Sequence, residues 1–215
     1  MGETEVASGE IMDGVYRALC ANGYAELTMQ EIADECGKST SLLHYHYDTK
    51  EDLLVAFLDG ILSDYEERLA CRGDRPPAER LVEFVARFVF TSGEDDRESF
   101  HLALLEMRSQ GSFNERIQAQ LDRSDELLRD SVADILEAGI ADGSFEPVDA
   151  DRTAALLVAT LDGARTRQIT LGDGQPAASY TRVVAEEALE TVVDPLLADG
   201  VDRPPLDEAL EQLDD

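Results

Sequence analysis

Tryptophan is absent from this 215-residue chain, aromatic residues make up only 6% of it, and lysine occurs at just two positions, Lys38 and Lys50. With so few rings, a core must be packed from Leu, Val, Ala and Ile, which suits helices laid against helices. Basic residues of every kind are scarce, 18 against 47 acidic ones, for a formal net charge of −29. An excess of that size repels anionic partners and, taken alone, argues against nucleic acid. The acids are spread over nearly every segment instead of gathering in one tail, the pattern of a surface adapted to molar salt, where the Debye length shrinks to roughly 3 Å and self-repulsion is screened.

Other absences narrow the function further. Cys20, Cys36 and Cys71 form no CxxC pair and have no His at zinc-ligand spacing, so neither a structural zinc site nor a disulfide framework is expected. They read as small buried hydrophobes in a reduced, cytoplasmic compartment. No run approaches the ~18 apolar residues that cross a bilayer, and the opening MGETEVASGE has neither the basic start nor the apolar core of a secretory leader. There is no nucleophile–base pair, Gly-rich phosphate loop or HExxH motif, and Asp95-Asp96 has no second carboxylate cluster with which to share a metal. No enzyme, cofactor, metal or membrane role is expected.

What is present is helical punctuation. Ile11, Val15, Ala18 and Leu19 recur at helical spacing and Asn22-Gly23 supplies a stop, so a first helix is expected over 6–21. Thr28, followed three residues later by Glu31, is a capping-box pattern, and Met29, Ile32, Ala33 and Cys36 share one face of the helix it opens. Gly37 ends that helix, because glycine tolerates the left-handed conformation that lets the chain turn sharply. A third, short helix begins near Ser39 with Leu43 and Tyr47 inward, and Thr49 caps a fourth whose apolar stripe runs from Leu53 to Leu69. The stretch from Arg72 to Pro77 breaks the pattern with two adjacent prolines and reads as a boundary. Beyond it, helices are expected over 77–92, 96–109, 114–141, 149–171 and 177–198, the last two joined by a turn from Gly172 to Pro176 and the final one kinked or ended at Asp194-Pro195. The expectation is an all-α chain of about nine helices: a helix-turn-helix domain over 1–50, a connecting helix and linker over 51–75, a helical bundle over 76–200, and an acidic tail over 201–215 with a short docking helix at Leu206, Leu210 and Leu213.

Residues 28–50 set an eight-residue helix, a glycine turn and a second short helix in succession, the geometry of a helix-turn-helix. The whole stretch TMQEIADECGKSTSLLHYHYDTKEDLL resembles the TetR/AcrR family. Its ending, Leu43-His44-Tyr45-His46-Tyr47-Asp48-Thr49-Lys50-Glu51, is similar to that family's recurrent Leu-Tyr-Tyr-His-Phe-x-x-Lys-Glu. His44 in place of the usual tyrosine, and Leu42 where a small or polar residue is common, leave the operator sequence open. The resemblance implies a ligand-responsive repressor that binds a near-palindromic operator as a dimer. The third helix would lie in the major groove, with Lys38, Ser39, Thr40 and Ser41 nearest the base edges. His44, Tyr45, His46 and Lys50 would brace the phosphate backbone, and Thr28 and Gln30 would add phosphate contacts from the preceding helix. Residues 1–50 hold nine carboxylates against Arg17, Lys38 and Lys50, so charge contributes little and hydrogen bonding and shape must carry more. Affinity is expected to fall less steeply with salt than for a basic regulator, or even to rise. His44 and His46, two apart on a helix, point to different faces and do not make a metal pair.

In the resembled family the C-terminal helices hold a small-molecule pocket and the last two pair with their twofold mates. On that pattern Phe88, His101, Leu104, Met107, Arg108 and Arg165 are the candidate effector contacts, the two arginines meeting an anionic or polar ligand. Ala155, Ala159 and Gly163, with Leu157, Val158 and Leu161, offer a close-packing helix face, and Val184, Ala188, Leu189, Val192 and Leu196 its partner, as the dimer interface. The expected partners are a duplex operator, a small-molecule effector and a second copy of the chain. The alternative keeps the helix-turn-helix but makes the C-terminal half a protein-interaction module with no pocket.

Overall fold

A computed structural model describes residues 3–70, 75–91, 95–111, 114–171 and 180–213. Ten α-helices run through them, and no strand forms among the described residues beyond one isolated antiparallel bridge between Phe145 and Leu197. In chain order the helices are α1 Glu3–Glu26, α2 Met29–Cys36, α3 Thr40–His46, α4 Lys50–Ala70, α5 Pro77–Ala86, α6 Asp95–Gly111, α7 Glu115–Asp142, α8 Ala150–Leu171, α9 Tyr180–Ala188 and α10 Leu206–Glu211. No helix among them is long and apolar enough to cross a membrane. The expected turn at 172–176, residue 92 at the expected end of the 77–92 helix, and Cys71 lie outside the described residues.

Three helix ends have identifiable physical causes, and of these only the end of α5 departs clearly from expectation. α1 is assigned as far as Glu26, but Gly23 sits at φ 70°, ψ 178°, so the helical path breaks where the Asn22-Gly23 stop was read and a short turn follows. α5 ends at Ala86 instead of continuing to 92. The amides of Phe88 and Val89 reach back only three residues, to Val85 and Ala86, at 3.0 Å each. The Phe90 amide then donates to the Thr181 hydroxyl at 3.1 Å, and the Arg87 carbonyl accepts from Arg165 at 3.1 Å. Side chains distant in sequence therefore take the backbone groups that a longer helix would have used. After α9 the chain widens into a π turn over Leu189–Val193 and tightens into a 3-10 turn over Asp194–Leu196. Pro195 has no amide with which to continue the ladder, and the helix ends there as its sequence requires.

The chain divides into two compact units, Met1–Tyr65 with Glu94–Ser124, and Glu66–Gly93 with Asp125–Asp215. Each has its own apolar core. In the first, Ile11, Val15, Leu19, Leu43, Leu53 and Phe57 pack with Phe100, Ala103, Met107 and Ile117. The unit that holds α1 to α3 thus also takes in residues 94–124, which chain order alone assigned to the 76–200 bundle. In the second, Leu81, Val85, Val132, Leu136, Leu157, Leu161 and Leu189 form the centre. Leu157, Val158, Leu161, Ala188, Leu189 and Leu196, expected at a dimer interface, are buried in this chain's own core and are not available to a partner. Ala155, Ala159 and Gly163 remain exposed.

The tail is anchored. Leu206, Ala209 and Leu210 of α10 are buried in the second core, and Arg182 pairs with Asp207 beside them. A Cβ at Gly139 would lie 2.2 Å from the Phe145 ring, so only glycine lets α7 receive that side chain.

Candidate nucleic-acid interface

Successive caps build the N-terminal head. The Glu31 amide donates to the Thr28 hydroxyl at 3.3 Å while the Thr28 amide donates to the Glu31 carboxylate at 2.6 Å, completing the box the sequence announces. Ile32 and Ala33 are buried beneath α2. Gly37 is left-handed, at φ 62°, ψ 31°, and turns the chain into α3. Ser39 caps α3 by accepting from the Leu42 amide at 3.3 Å. Thr49 and Asp52 form the next cap: the Asp52 amide donates to the Thr49 hydroxyl at 3.1 Å and the Thr49 amide to the Asp52 carboxylate at 3.0 Å. Between the caps, Leu43 is fully buried and anchors α3, and Tyr47 is half-buried against the same core.

With Leu43 inward and Thr40 and Leu42 half-buried, the remaining four side chains of α3 face solvent. Ser41, His44, Tyr45 and His46 are exposed, Tyr45 to 82%, and the Tyr45 and His46 rings meet edge to face at 5.0 Å between centroids. Thr28 and Gln30 on the α2 side are exposed, while Lys38 and Thr40 are half-buried. Among the described residues, no three His, Cys, Asp or Glu side chains gather to hold a metal.

The cations of the head are already engaged. Lys38 pairs with Glu10 at 2.6 Å, and Arg17 donates to the Glu35 carbonyl at 2.8 Å and lies 3.5 Å from its carboxylate. The Lys50 ammonium donates to the carbonyls of Leu27, at 2.9 Å, and Tyr24, at 3.4 Å, and sits 4.8 Å over the Tyr24 ring. At most one of its three donors is left for a phosphate. The head thus meets solvent with its positive charge largely compensated, as the carboxylate count anticipates.

Two contributors were not legible in the sequence. Glu106 of α6 accepts from the amides of Tyr24, at 2.8 Å, and Ala25, at 3.2 Å, so the turn after Gly23 is gripped by an anion on its amide side and by Lys50 on its carbonyl side. These partners lie about eighty residues apart in sequence, and no local pattern joins them. Gly14 is the other: a Cβ there would lie 2.1 Å from the Cys36 sulfur, so glycine sets how closely α1 and α2 approach. Burial raises the pKa of both the Cys20 and the Cys36 thiols, keeping them protonated and poorly nucleophilic.

Residues 11–57 match the model for bacterial regulatory proteins of the tetR family, and residues 77–198 match that for the C-terminal domain of BetI-type transcriptional repressors. The chain belongs to the TetR family. A TetR transcription regulator from Haloarcula marismortui is 37% identical, with a TM-score of 0.78 over 90% of this chain and 100% of that one. The HTH-type transcriptional repressor KstR2 of Rhodococcus jostii is 28% identical over 144 residues, 63% of this chain, and the match spans 66% of that repressor, just under two thirds of its length. A transcriptional regulator from Saccharomonospora viridis in complex with choline shares the fold at 24% identity, with a TM-score of 0.74 over 87% of this chain and 97% of that one.

In this TetR-family transcriptional regulator the six candidate effector contacts divide between the two units. His101, Leu104, Met107 and Arg108 lie on α6 in the first unit, Met107 fully buried in its core and Arg108 exposed. Phe88 and Arg165 lie in the second, where the guanidinium stacks 4.2 Å over the Phe88 ring and donates to the Arg87 carbonyl. A separate open groove of about 670 Å³ runs between α7 and α8, lined by Arg129, Ala155, Ala159, Gly163, Arg167 and Leu171 among others.

Proposed function

We propose that this regulator represses transcription by holding a near-palindromic duplex operator as a homodimer, and that it releases the operator when a small molecule occupies its C-terminal half. The observation that carries the proposal is the outward face of α3. A seven-residue helix with one buried anchor, a tyrosine exposed to 82%, two exposed histidines and a serine has no use for those side chains in its own fold. It has the length and polarity of a reading helix, with short hydroxyl side chains first and aromatic and imidazole groups last.

Dimerisation is supported by the apolar surface that the second unit leaves uncovered. Leu156, Leu171, Tyr180 and Val183 are exposed on α8 and α9, beside the smooth stripe of Ala155, Ala159 and Gly163. A twofold homodimer reading a near-palindromic operator would present its two copies of α3 to half-sites about 34 Å apart, one helical turn of DNA. An effector is supported by the similarly folded Saccharomonospora regulator, which holds choline. The connecting helix α4 is tied to the start of α7 by Arg116–Asp52 and Arg123–Asp59, two ion pairs one heptad apart, so a shift of α7 is carried to the head. The net charge of −29 supports work in a cytoplasm of high salt.

The test is fluorescence anisotropy with the full chain, at molar KCl, on DNA from its own upstream region, beside Tyr45→Ala and His44→Ala. Both side chains are exposed, so their loss leaves the fold intact. Sequence-selective binding that the variants weaken sustains the proposal; equal binding to scrambled DNA at every salt concentration removes it.

A further inference from the structure

Three side chains at the start of the reading helix are wired in one direction. The Gln30 amide nitrogen donates to the Asp34 carboxylate at 2.7 Å, and the Thr40 hydroxyl donates to the Gln30 amide oxygen at 2.7 Å. Asp34 fixes the sense of the chain, since an ionised carboxylate only accepts. Gln30 must turn its NH2 toward Asp34, which leaves its carbonyl oxygen facing Thr40. A hydroxyl has one hydrogen, and Thr40 has spent it on that oxygen. What remains on Thr40 is a pair of acceptor positions.

From this polarity we infer that Thr40 is a specificity-determining residue that reads an exocyclic amino group, adenine N6 or cytosine N4, on the DNA strand nearest the N-terminus of α3. The inference rests on α3 being the helix that enters the major groove. In that groove the amino groups of adenine and cytosine are donors, while guanine O6 and N7 and thymine O4 are acceptors. An acceptor-only hydroxyl pairs with the first kind and is repelled by the second. Ser39 does not share this constraint, because its oxygen is committed to the Leu42 amide as the helix cap. Asp34 and Gln30 touch no base in this scheme; they act through Thr40 by setting where its hydrogen points.

The experiment selects binders from a duplex DNA library with a randomised central stretch, using the full chain at molar KCl. The wild type is compared with Thr40→Val, Thr40→Ser and Asp34→Asn. The wild type is expected to enrich adenine or cytosine at one position in each half-site. Thr40→Val, nearly isosteric, should lower that preference about two- to tenfold at that position alone, the worth of one neutral hydrogen bond. Thr40→Ser should restore it. In Asp34→Asn the side-chain amide can accept as well as donate, Gln30 is free to reverse, and guanine or thymine should enter at the same position. A preference unchanged in Thr40→Val, or a wild-type preference for guanine or thymine there, overturns the inference while leaving the DNA-reading function standing. No enriched sequence with the wild type would overturn both.

Discussion

Replacing Gly23 by alanine tests the part of the head that the sequence concealed. At φ 70°, ψ 178° the backbone is in a region open essentially to glycine alone, and forcing an L-residue into it costs about 1–3 kcal/mol. The new Cβ would also lie 3.0 Å from a Glu106 carboxylate oxygen, close enough to push that side chain off the Tyr24 and Ala25 amides. Losing one part-buried, charge-assisted hydrogen bond adds about 1.5 kcal/mol, and the contact at the exposed Ala25 adds little. Gly23→Ala should therefore lose about 3 kcal/mol of stability, large for a single methyl group. The measurement is urea unfolding at fixed salt and fixed protein concentration, since the proposed self-association would contribute to the apparent stability. Glu106→Ala and the double variant complete a cycle. With Glu106 already absent, the methyl should still cost the backbone strain, and the difference between backgrounds isolates the displaced carboxylate. If Gly23→Ala unfolds within about 0.5 kcal/mol of the wild type, the turn can relax and neither part of the reasoning stands.

Other perturbations follow from the same contacts. Lys50→Met keeps the alkyl stem but removes the ammonium from the Leu27 and Tyr24 carbonyls, and should cost about 1.5–3 kcal/mol in urea unfolding; unchanged stability with weakened DNA binding would instead make Lys50 a phosphate ligand. Gly139→Ala drives a methyl into the Phe145 ring and should destabilise the second unit by about 1–3 kcal/mol, read as an earlier urea midpoint; a neutral result would mean that α7 yields at that point. Asp52 has its pKa lowered first by its hydrogen bond with Arg116 and then by Thr49. Its stabilising contribution is thus present above the unfolded carboxylate value and is lost as the pH falls through the lower folded one. In an NMR titration, Arg116→Ala should move the Asp52 midpoint upward, and an unmoved midpoint would show that the pair does not persist in solution.

Legibility followed the range of the forces involved. The α2–α3 pair could be read from Thr28, Glu31, Gly37, Ser39 and Leu43 because caps and glycine turns act within a few residues. The stop at Pro195 was legible for the same reason. The end of α5 was not, since apolar spacing allows the helix to run on through Phe90, and the groups that divert it are Arg165 and Thr181, far along the chain. Nor was the internal use of α8 foreseeable: Leu157, Val158 and Leu161 suit a partner's surface as well as they suit their own core, and periodicity cannot tell the two apart. On the reading face, the sequence supplied the hydroxyls but not their polarity, which depends on Asp34 reaching Thr40 through Gln30.

The interleaving of the two units along the chain bears on inheritance. A reading head cut from this protein at residue 65 would leave behind Phe100, Ala103, Met107 and Ile117, and with them part of its own interior. On the proposed function, new operator specificities can therefore be acquired by altering side chains on α2 and α3, but not by grafting a foreign N-terminal segment onto an unchanged remainder. A recombination event that preserved folding would have to carry residues 94–124 along with the head, and so would transmit part of the helical scaffold together with the proposed DNA-reading surface.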